Sequence, residues 1–112
     1  MTPVSSVDPE SSRLAEVSDP SGVAAARRAA ADLAVRGGLN ETDVGRISLL
    51  VTEAATNLLK HAGQGEILLR VLPGTPVSLE ILVIGRAPGL APERLLSDGF
   101  SSAGTMGAGL GA

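Results

Sequence analysis

The feature that most constrains the fold is a long stretch in which apolar residues recur at helical spacing. Each residue of an α-helix turns the chain by about 100°, so residues three and four apart share one face. We predict a helix that begins at Asn40 or Thr42, both good N-cap residues, and runs to about His61. Its apolar stripe consists of Ile47, Leu50, Val51, Ala54 and Leu58. Because Leu49 and Leu59 lie outside this stripe, most of the helix circumference is apolar, and we expect it to be buried.

The same helix carries a second, polar stripe of Glu53, Asn57 and Lys60, which spreads over about 60° of its circumference. Two interpretations of this stripe are open. The first is a solvated helix face on which the three side chains form a hydrogen-bonded ladder, which is the commoner situation for surface charge. The second is a ligand site, because a carboxylate, an amide and an ammonium on a buried helix are costly unless they meet a ligand.

Shorter elements surround this helix. Strands are predicted for residues 13–17, 66–72 and 77–84. A first helix is predicted with Asp19 as its N-cap and Pro20 at its first position, residues 24–35 as its body, and the glycines at 37 and 38 as its end. From residue 85 onward we expect loops with at most one short helix near residues 92–96. Residues 1–12 are polar and predict a flexible tail, which leaves residues 13–112 as the domain. The order of these elements predicts an α+β fold. We expect a two-layer sandwich with the helices packed on one face of a mixed or antiparallel sheet.

Composition excludes several classes of function. The net charge is −3 and aromatic residues make up 1%, so the basic field and the stacking surface of a nucleic-acid-binding protein are both absent. Cysteine does not occur and histidine occurs once, which excludes disulfides, thiolate metal sites and multi-histidine centres within this sequence. No long apolar run and no secretory signal is visible, so we expect no membrane segment and a cytoplasmic protein.

Glycine is dense in residues 101–112, which read SSAGTMGAGLGA. Glycine lets backbone N–H groups approach and surround an anion without steric conflict. Taken alone, this segment is more typical of a low-complexity tail. Between it and the long helix, residues 82–90 form a strand that runs into a Pro-Gly turn, and such a strand end is a natural wall of a ligand pocket.

Three ordered segments together resemble a known family. Residues 51–63 (VTEAATNLLKHAG) look like the N-box of the GHKL, or Bergerat-fold, ATPase/kinase superfamily. Residues 85–90 (GRAPGL) stand where its first glycine box lies, and residues 98–112 resemble its second glycine box and lid. The resemblance covers residues 13–112 as a histidine-kinase-like ATP-binding domain. It is greatest to the anti-sigma-factor serine/threonine kinases (RsbT/RsbW-like), and among them to the ATP-binding domains associated with SpoIIE-type phosphatases.

The resemblance implies ATP and Mg²⁺ as cofactors and a role for each matching residue. Glu53 would be the catalytic general base, Asn57 would ligate Mg²⁺ beside the phosphates, and Lys60 would approach the phosphates as a point charge. His61 would border the pocket or cap the helix. The glycine boxes add as nucleotide-binding residues Gly85, Arg86, Gly89, Gly104, Thr105, Gly107, Gly109, Leu110 and Gly111.

The sequence departs from the family in two places. The family's first glycine box begins with an Asp that accepts a hydrogen bond from the adenine amino group, and here that position is Gly85. Loss of this carboxylate is expected to weaken nucleotide affinity by roughly 5- to 150-fold. Family members also continue with a helix and further strands, so we expect the domain in residues 13–112 to be incomplete at its C-terminus.

Two functions follow from the resemblance. One is an ATP-dependent serine/threonine protein kinase in a bacterial partner-switching pathway. It would phosphorylate a STAS-domain antagonist protein, and a sigma factor or a SpoIIE-type phosphatase would be a further partner. The other is a non-catalytic regulatory module with a degenerate nucleotide site, or the regulatory domain of a SpoIIE-type phosphatase. Glu53 and Asn57 favour the first function and Gly85 favours the second, while a homodimer is compatible with both.

Overall fold

The computed structural model describes residues 11–87, 89 and 91–98, and every element below belongs to that part of the chain. Its elements are β1 (Ser12–Val17), α1 (Pro20–Arg36), α2 (Glu41–Ala62), β2 (Gly65–Leu72), β3 (Ser78–Gly85) and β4 (Glu93–Asp98). Residues 1–10 of the predicted tail and residues 104–111 of the predicted lid lie outside the described residues.

The described strands form one antiparallel sheet in the order β1-β2-β3-β4, in which each strand pairs with the next along the chain. The strand predicted for residues 13–17 is confirmed as β1, at one edge of this sheet. Both helices contribute to a single core with the sheet. This arrangement confirms the predicted α+β fold with helices on one face of the sheet. Of the two predicted sheet types, the described strands form the antiparallel one.

Polar side chains and glycine set the limits of the helices. Asn40 accepts a hydrogen bond from the backbone N–H of Asp43 at 2.8 Å, so it is Asn40 and not Thr42 that caps α2. Asp19 caps α1 in the same way. Gly63, whose φ is +80°, ends α2 in a backbone conformation that favours glycine. Neither described helix combines the length and the apolarity that a membrane-spanning segment needs.

The apolar stripe of α2 lies in the core, as predicted. All five of its residues are buried: Ile47, Leu50, Val51, Ala54 and Leu58. They share one core cluster with Leu33 of α1, Ile67 of β2 and Ile81 of β3. The expectation that most of the circumference of α2 is buried is wrong, because Leu49 is 61% exposed. In the described part of the chain, α2 meets α1 and the sheet on one side and solvent on the other.

Residues 93–96 belong to strand β4, although the sequence predicts at most a short helix near residues 92–96. Leu95 lies opposite Ile81 of β3, and Ser97 lies opposite Leu79. Leu95 and Ser97 are both buried, so alternate residues of β4 face the core. The local helix signal is overridden because pairing with β3 satisfies the backbone of β4 and buries Leu95.

The face of the sheet away from the helices carries a cluster of ion pairs. Glu80 of β3 lies between Arg94 of β4 and Arg70 of β2, with N–O distances of 2.5 Å and 2.8 Å. The hydrogen bond from Arg94 lowers the pKa of the Glu80 carboxyl below its ordinary value, and the charge of Arg70 acts in the same direction. This cluster joins three neighbouring strands.

Glu80→Gln is expected to make the stability of the protein less sensitive to acid. A carboxyl whose pKa is lowered by folding contributes stability above its ordinary pKa, and that contribution is lost as the pH falls through the lower, folded pKa. The variant should be less stable than the parent at pH 7, by about 1 kcal/mol or less. It should then lose less stability than the parent when the pH is lowered from 5 to 3. Urea unfolding at the three pH values measures both effects, and parallel losses in the two proteins would contradict the role of Glu80.

Strands β2 and β3 approach closely where the sheet meets the end of α2. Gly65 of β2 is paired with Gly85 of β3. A Cβ atom on Gly65 would lie 2.2 Å from the carbonyl oxygen of Ile84 and 2.8 Å from Cδ1 of Leu58. Because the first of these atoms belongs to the backbone, a side chain at residue 65 would force the two strands apart.

Gly65→Ala is therefore expected to lower the free energy of unfolding by about 1–3 kcal/mol, the usual cost of overpacking. Gly45→Ala is the matched control, because Gly45 is exposed on α2 and a Cβ there meets no atom within 4 Å. That control should raise the free energy of unfolding by about 0.5–1 kcal/mol, since alanine favours a helix interior over glycine. Urea denaturation measures both variants, and a change of the same sign in the two would contradict the close approach at Gly65.

Candidate functional site

A cavity of about 290 Å³ opens where the second half of α2 lies beside the ends of β3 and β4. Its apolar walls are formed by Ala54, Leu58, Ala62, Val83 and Ala91. The polar side chains that line it are Asn57, His61 and Glu93. Gly85, at the end of β3, forms a part of the wall that has no side chain. A mostly apolar cavity with a few converging polar groups is typical of a small-molecule site.

The short connection between α2 and the sheet determines where the cavity lies. The N–H of Gly63 donates to the carbonyl oxygen of Leu59 at 3.0 Å and closes the helix. Two residues later the chain enters β2 at Gly65, which pairs with Gly85. The end of α2 is thus held next to the end of β3, and Asn57 and Gly85 line the same cavity although they are far apart in sequence.

The polar stripe of α2 lies at the border of this cavity. Asn57 lines it, whereas Glu53, one helical turn earlier on the same side, and Lys60 do not. All three side chains are exposed. Within the described residues no hydrogen bond joins them, so the stripe is solvated but does not form the ladder of the first interpretation. The amide of Asn57 and the carboxylate of Glu53 are therefore available to a ligand.

The side chain of Arg86 is held on the face of the sheet that lies away from the helices and the cavity. Its Nη2 atom donates to Oε2 of Glu66 at 2.9 Å, and its backbone N–H donates to the carbonyl oxygen of Gln64 at 3.1 Å. Glu66 lies on the helix-free face, because its neighbour Ile67 faces the core. Arg86 consequently lies outside the lining of the cavity.

The other residues of the glycine boxes are not brought to the cavity by the described part of the chain. Gly89 is exposed, has a φ of +84° and does not line the cavity. Six of the expected nucleotide-binding residues lie outside the described residues: Gly104, Thr105, Gly107, Gly109, Leu110 and Gly111. Their role remains a prediction from the family resemblance.

Sequence reasoning does not identify Glu93 as a site residue. A helix over residues 92–96, as predicted, does not place residue 93 beside Val83, whereas the strand pairing does. The signal available in the sequence is the alternation of Glu93, Leu95 and Ser97, which share one face of β4. Two polar residues in three make this a weak strand pattern, because an inward face normally shows apolar residues.

The amide oxygen of Asn57 is suited to be one of the ligands of a magnesium ion. Within the described residues no group of three or more His, Asp or Glu side chains is arranged to hold a metal by itself. Mg²⁺ is usually bound by one or two protein oxygens together with phosphate oxygens and water. A single unpaired amide at the edge of a cavity matches that requirement when a nucleotide supplies the phosphates.

Comparison with known proteins agrees with this geometry. Residues 17–112 match the family of histidine kinase-like ATPase domains. The chain is also 33% identical, over 90 residues, to the serine/threonine-protein kinase RsbT of Bacillus subtilis (strain 168), an alignment that covers 79% of this chain and 68% of that protein. The described fold, two helices on an antiparallel sheet with the N-box residues at a cavity beside β3, is that of a GHKL-type domain. The chain therefore belongs to the histidine kinase-like ATPase domain family, in the GHKL branch of anti-sigma regulatory kinases.

Proposed function

We propose that this chain binds Mg-ATP in the cavity between α2, β3 and β4 and acts as a serine/threonine protein kinase of a partner-switching pathway. Its substrate would be a STAS-domain antagonist protein in the cytoplasm. The observation that carries the proposal is the position of two side chains on α2. Asn57 lines the cavity, and Glu53, one turn away on the same side, is open to solvent. Similarity to RsbT, a serine/threonine-protein kinase, supports the same activity.

The cavity suits the base end of a nucleotide. Small apolar side chains such as Ala54, Ala62 and Val83 can cover the faces of a flat ring system. Asn57 lies where phosphate oxygens and Mg²⁺ would meet the helix, and Lys60 follows in the next turn as a mobile positive charge. The glycine-rich residues 104–111 would close over the phosphates in the manner of the family's lid.

Glu53 is suited to act as the general base. Its carboxylate is exposed, so a hydroxyl group on a second protein can reach it without rearrangement of the core. It would accept the proton of a Ser or Thr hydroxyl as that oxygen attacks the γ-phosphorus and the bond to the leaving ADP oxygen breaks. Mg²⁺, when bound through Asn57, supplies positive charge to the phosphates.

A second candidate function is a regulatory module that binds a partner protein without phosphorylating it. Gly85 favours this alternative, because it leaves the end of β3 without the carboxylate that the family uses for adenine. Arg86 favours it too, since its guanidinium is bound to Glu66 and lies away from the cavity. Two measurements separate the functions. In titration calorimetry the kinase would bind Mg-ATP, whereas the regulatory module would bind its partner protein equally well with and without nucleotide.

Asn57→Ala is expected to weaken binding of Mg-ATP by about 10- to 100-fold, because it removes an oxygen ligand of the metal. Asn57 is exposed, so thermal unfolding of the apo protein should be unchanged. Titration calorimetry with Mg-ATP and with ATP in EDTA measures the effect, and the loss should be confined to the titration with Mg²⁺. Thr56→Ala is the matched control, since Thr56 is the exposed neighbour of Asn57 and does not line the cavity. Equal Mg-ATP affinity in Asn57→Ala and the parent would remove Asn57 from the metal site.

Glu53→Gln is expected to retain nucleotide binding and to slow phosphoryl transfer by about 100- to 10,000-fold, because an amide cannot accept the hydroxyl proton. The assay is transfer of labelled γ-phosphate to a purified STAS-domain protein. Glu41→Gln is the matched control, an exposed acid on the same helix about 18 Å from Glu53 along the axis. Transfer at the parental rate in Glu53→Gln would show that another group is the base.

A further inference from the structure

The carboxylate of Glu93 belongs to the cavity because of the pairing of β4 with β3. Glu93 is the first residue of β4 and lies directly opposite Val83. Directly paired residues project to the same face of a sheet, and Val83 lines the cavity from the helix-covered face. Glu93 lines it too, from the strand beside Gly85.

The acceptor oxygens of Glu93 are unused within the described residues. No hydrogen bond or ion pair joins this side chain to any of them. Two other acids close to the site are differently placed: Glu66 is bound to Arg86 on the helix-free face, and Glu53 does not line the cavity. In the described part of the chain, Glu93 is thus the one carboxylate that lines the cavity.

Gly85 and the apolar walls determine what can reach this carboxylate. Gly85 adds no side chain to the lining, so that side of the cavity is open next to β4. Ala54, Ala62 and Ala91 are small and offer contact to the faces of a ring without competing for hydrogen bonds. The cavity therefore combines room for a flat heterocycle with a strong acceptor at its edge.

We propose that Glu93 selects the base of the bound nucleotide by accepting a hydrogen bond from a 6-amino group of a purine. This inference rests on the proposed function, because it assumes that the cavity takes the base of a nucleoside triphosphate. An ionised carboxylate can accept but not donate. At position 6 a 6-amino purine presents a donor to Glu93, whereas a 6-oxo purine presents an acceptor that the carboxylate repels. The N–H that a 6-oxo purine carries instead lies at N1, one ring position away from the atom that Glu93 would contact. Glu93 is thus a specificity-determining residue supplied by β4, on the strand next to Gly85.

The experiment compares ATP with inosine triphosphate, which carries an oxygen in place of the 6-amino group. Titration calorimetry in the presence of Mg²⁺ gives the Kd of each nucleotide for the parent, Glu93→Gln and Glu93→Ala. We expect the parent to bind ATP at least about 10-fold more tightly than inosine triphosphate. Glu93→Gln should bring the two Kd values within about threefold of each other, mainly by a gain for inosine triphosphate, because a glutamine amide can donate as well as accept. Glu93→Ala should lose about 5- to 100-fold in affinity for ATP.

The matched control is Glu16→Gln, because Glu16 is also an exposed acid on an edge strand of the sheet but does not line the cavity. It should leave the preference for ATP unchanged. Thermal unfolding of each variant checks the fold, and little change is expected since the side chain of Glu93 is exposed and has no partner among the described residues.

The outcomes separate this inference from the function on which it rests. A parent that binds both nucleotides equally well, or a Glu93→Gln variant that keeps the parental ratio of Kd values, would overturn the role of Glu93 while leaving ATP binding and phosphoryl transfer in place. Equal losses for both nucleotides in Glu93→Ala would also overturn it, because they would indicate a structural role. A parent that binds neither nucleotide would overturn the proposed function itself, and this inference with it.

Discussion

The burial of one side of α2 is the constraint on which the rest of the structure depends. Five apolar residues of this helix must all lie in the core, and that requirement leaves one rotation of the helix about its axis. With the rotation fixed, Glu53 and Asn57 lie together where the buried side of the helix meets the exposed side. A rotation of α2 about its axis would expose Val51 and move Asn57 away from Gly85. The packing of the core therefore also fixes the position of the candidate site.

The end of the sheet adds a second constraint, carried by a pair of glycines. Gly65 has no room for a side chain, because Ile84 and Leu58 occupy the space where its Cβ would lie. Gly85, its partner across the strands, forms part of the cavity wall instead. Because Gly65 has no side chain, β2, β3 and the end of α2 can approach one another closely. Because Gly85 has none, the cavity stays open at the end of β3. A carboxylate at residue 85 would narrow this opening, whereas Glu93 reaches it from the neighbouring strand.

The sequence predicts those parts of the fold that depend on local pattern. The stripe from Ile47 to Leu58 and the alternation in residues 77–84 are periodic over several turns or pleats, so α2 and β3 follow from them. The sequence does not predict strand β4, because its pattern is short and its stability comes from pairing with β3. The same distinction applies to the site. Asn57 is found from helical spacing and a family motif, while the place of Glu93 in the cavity and the ion pair between Arg86 and Glu66 depend on which strands meet.

The charged side chains of the described residues fall into two sets, those that form ion pairs within the fold and those that lie unpaired near the cavity. Several arginines are paired with acids of other turns or strands: Arg13 and Arg36 with Asp32, Arg70 and Arg94 with Glu80, and Arg86 with Glu66. These pairs fasten β1 to α1 and the strands to one another, so their charges contribute to the fold. Glu53, Lys60 and Glu93 have no ion pair within the described residues, and they lie around the same end of α2 and the cavity. Charge that is unpaired next to an apolar cavity contributes little to folding and keeps its full capacity for a ligand. Because the two sets are separate, a ligand can engage the charges around the cavity without breaking an ion pair that supports the sheet.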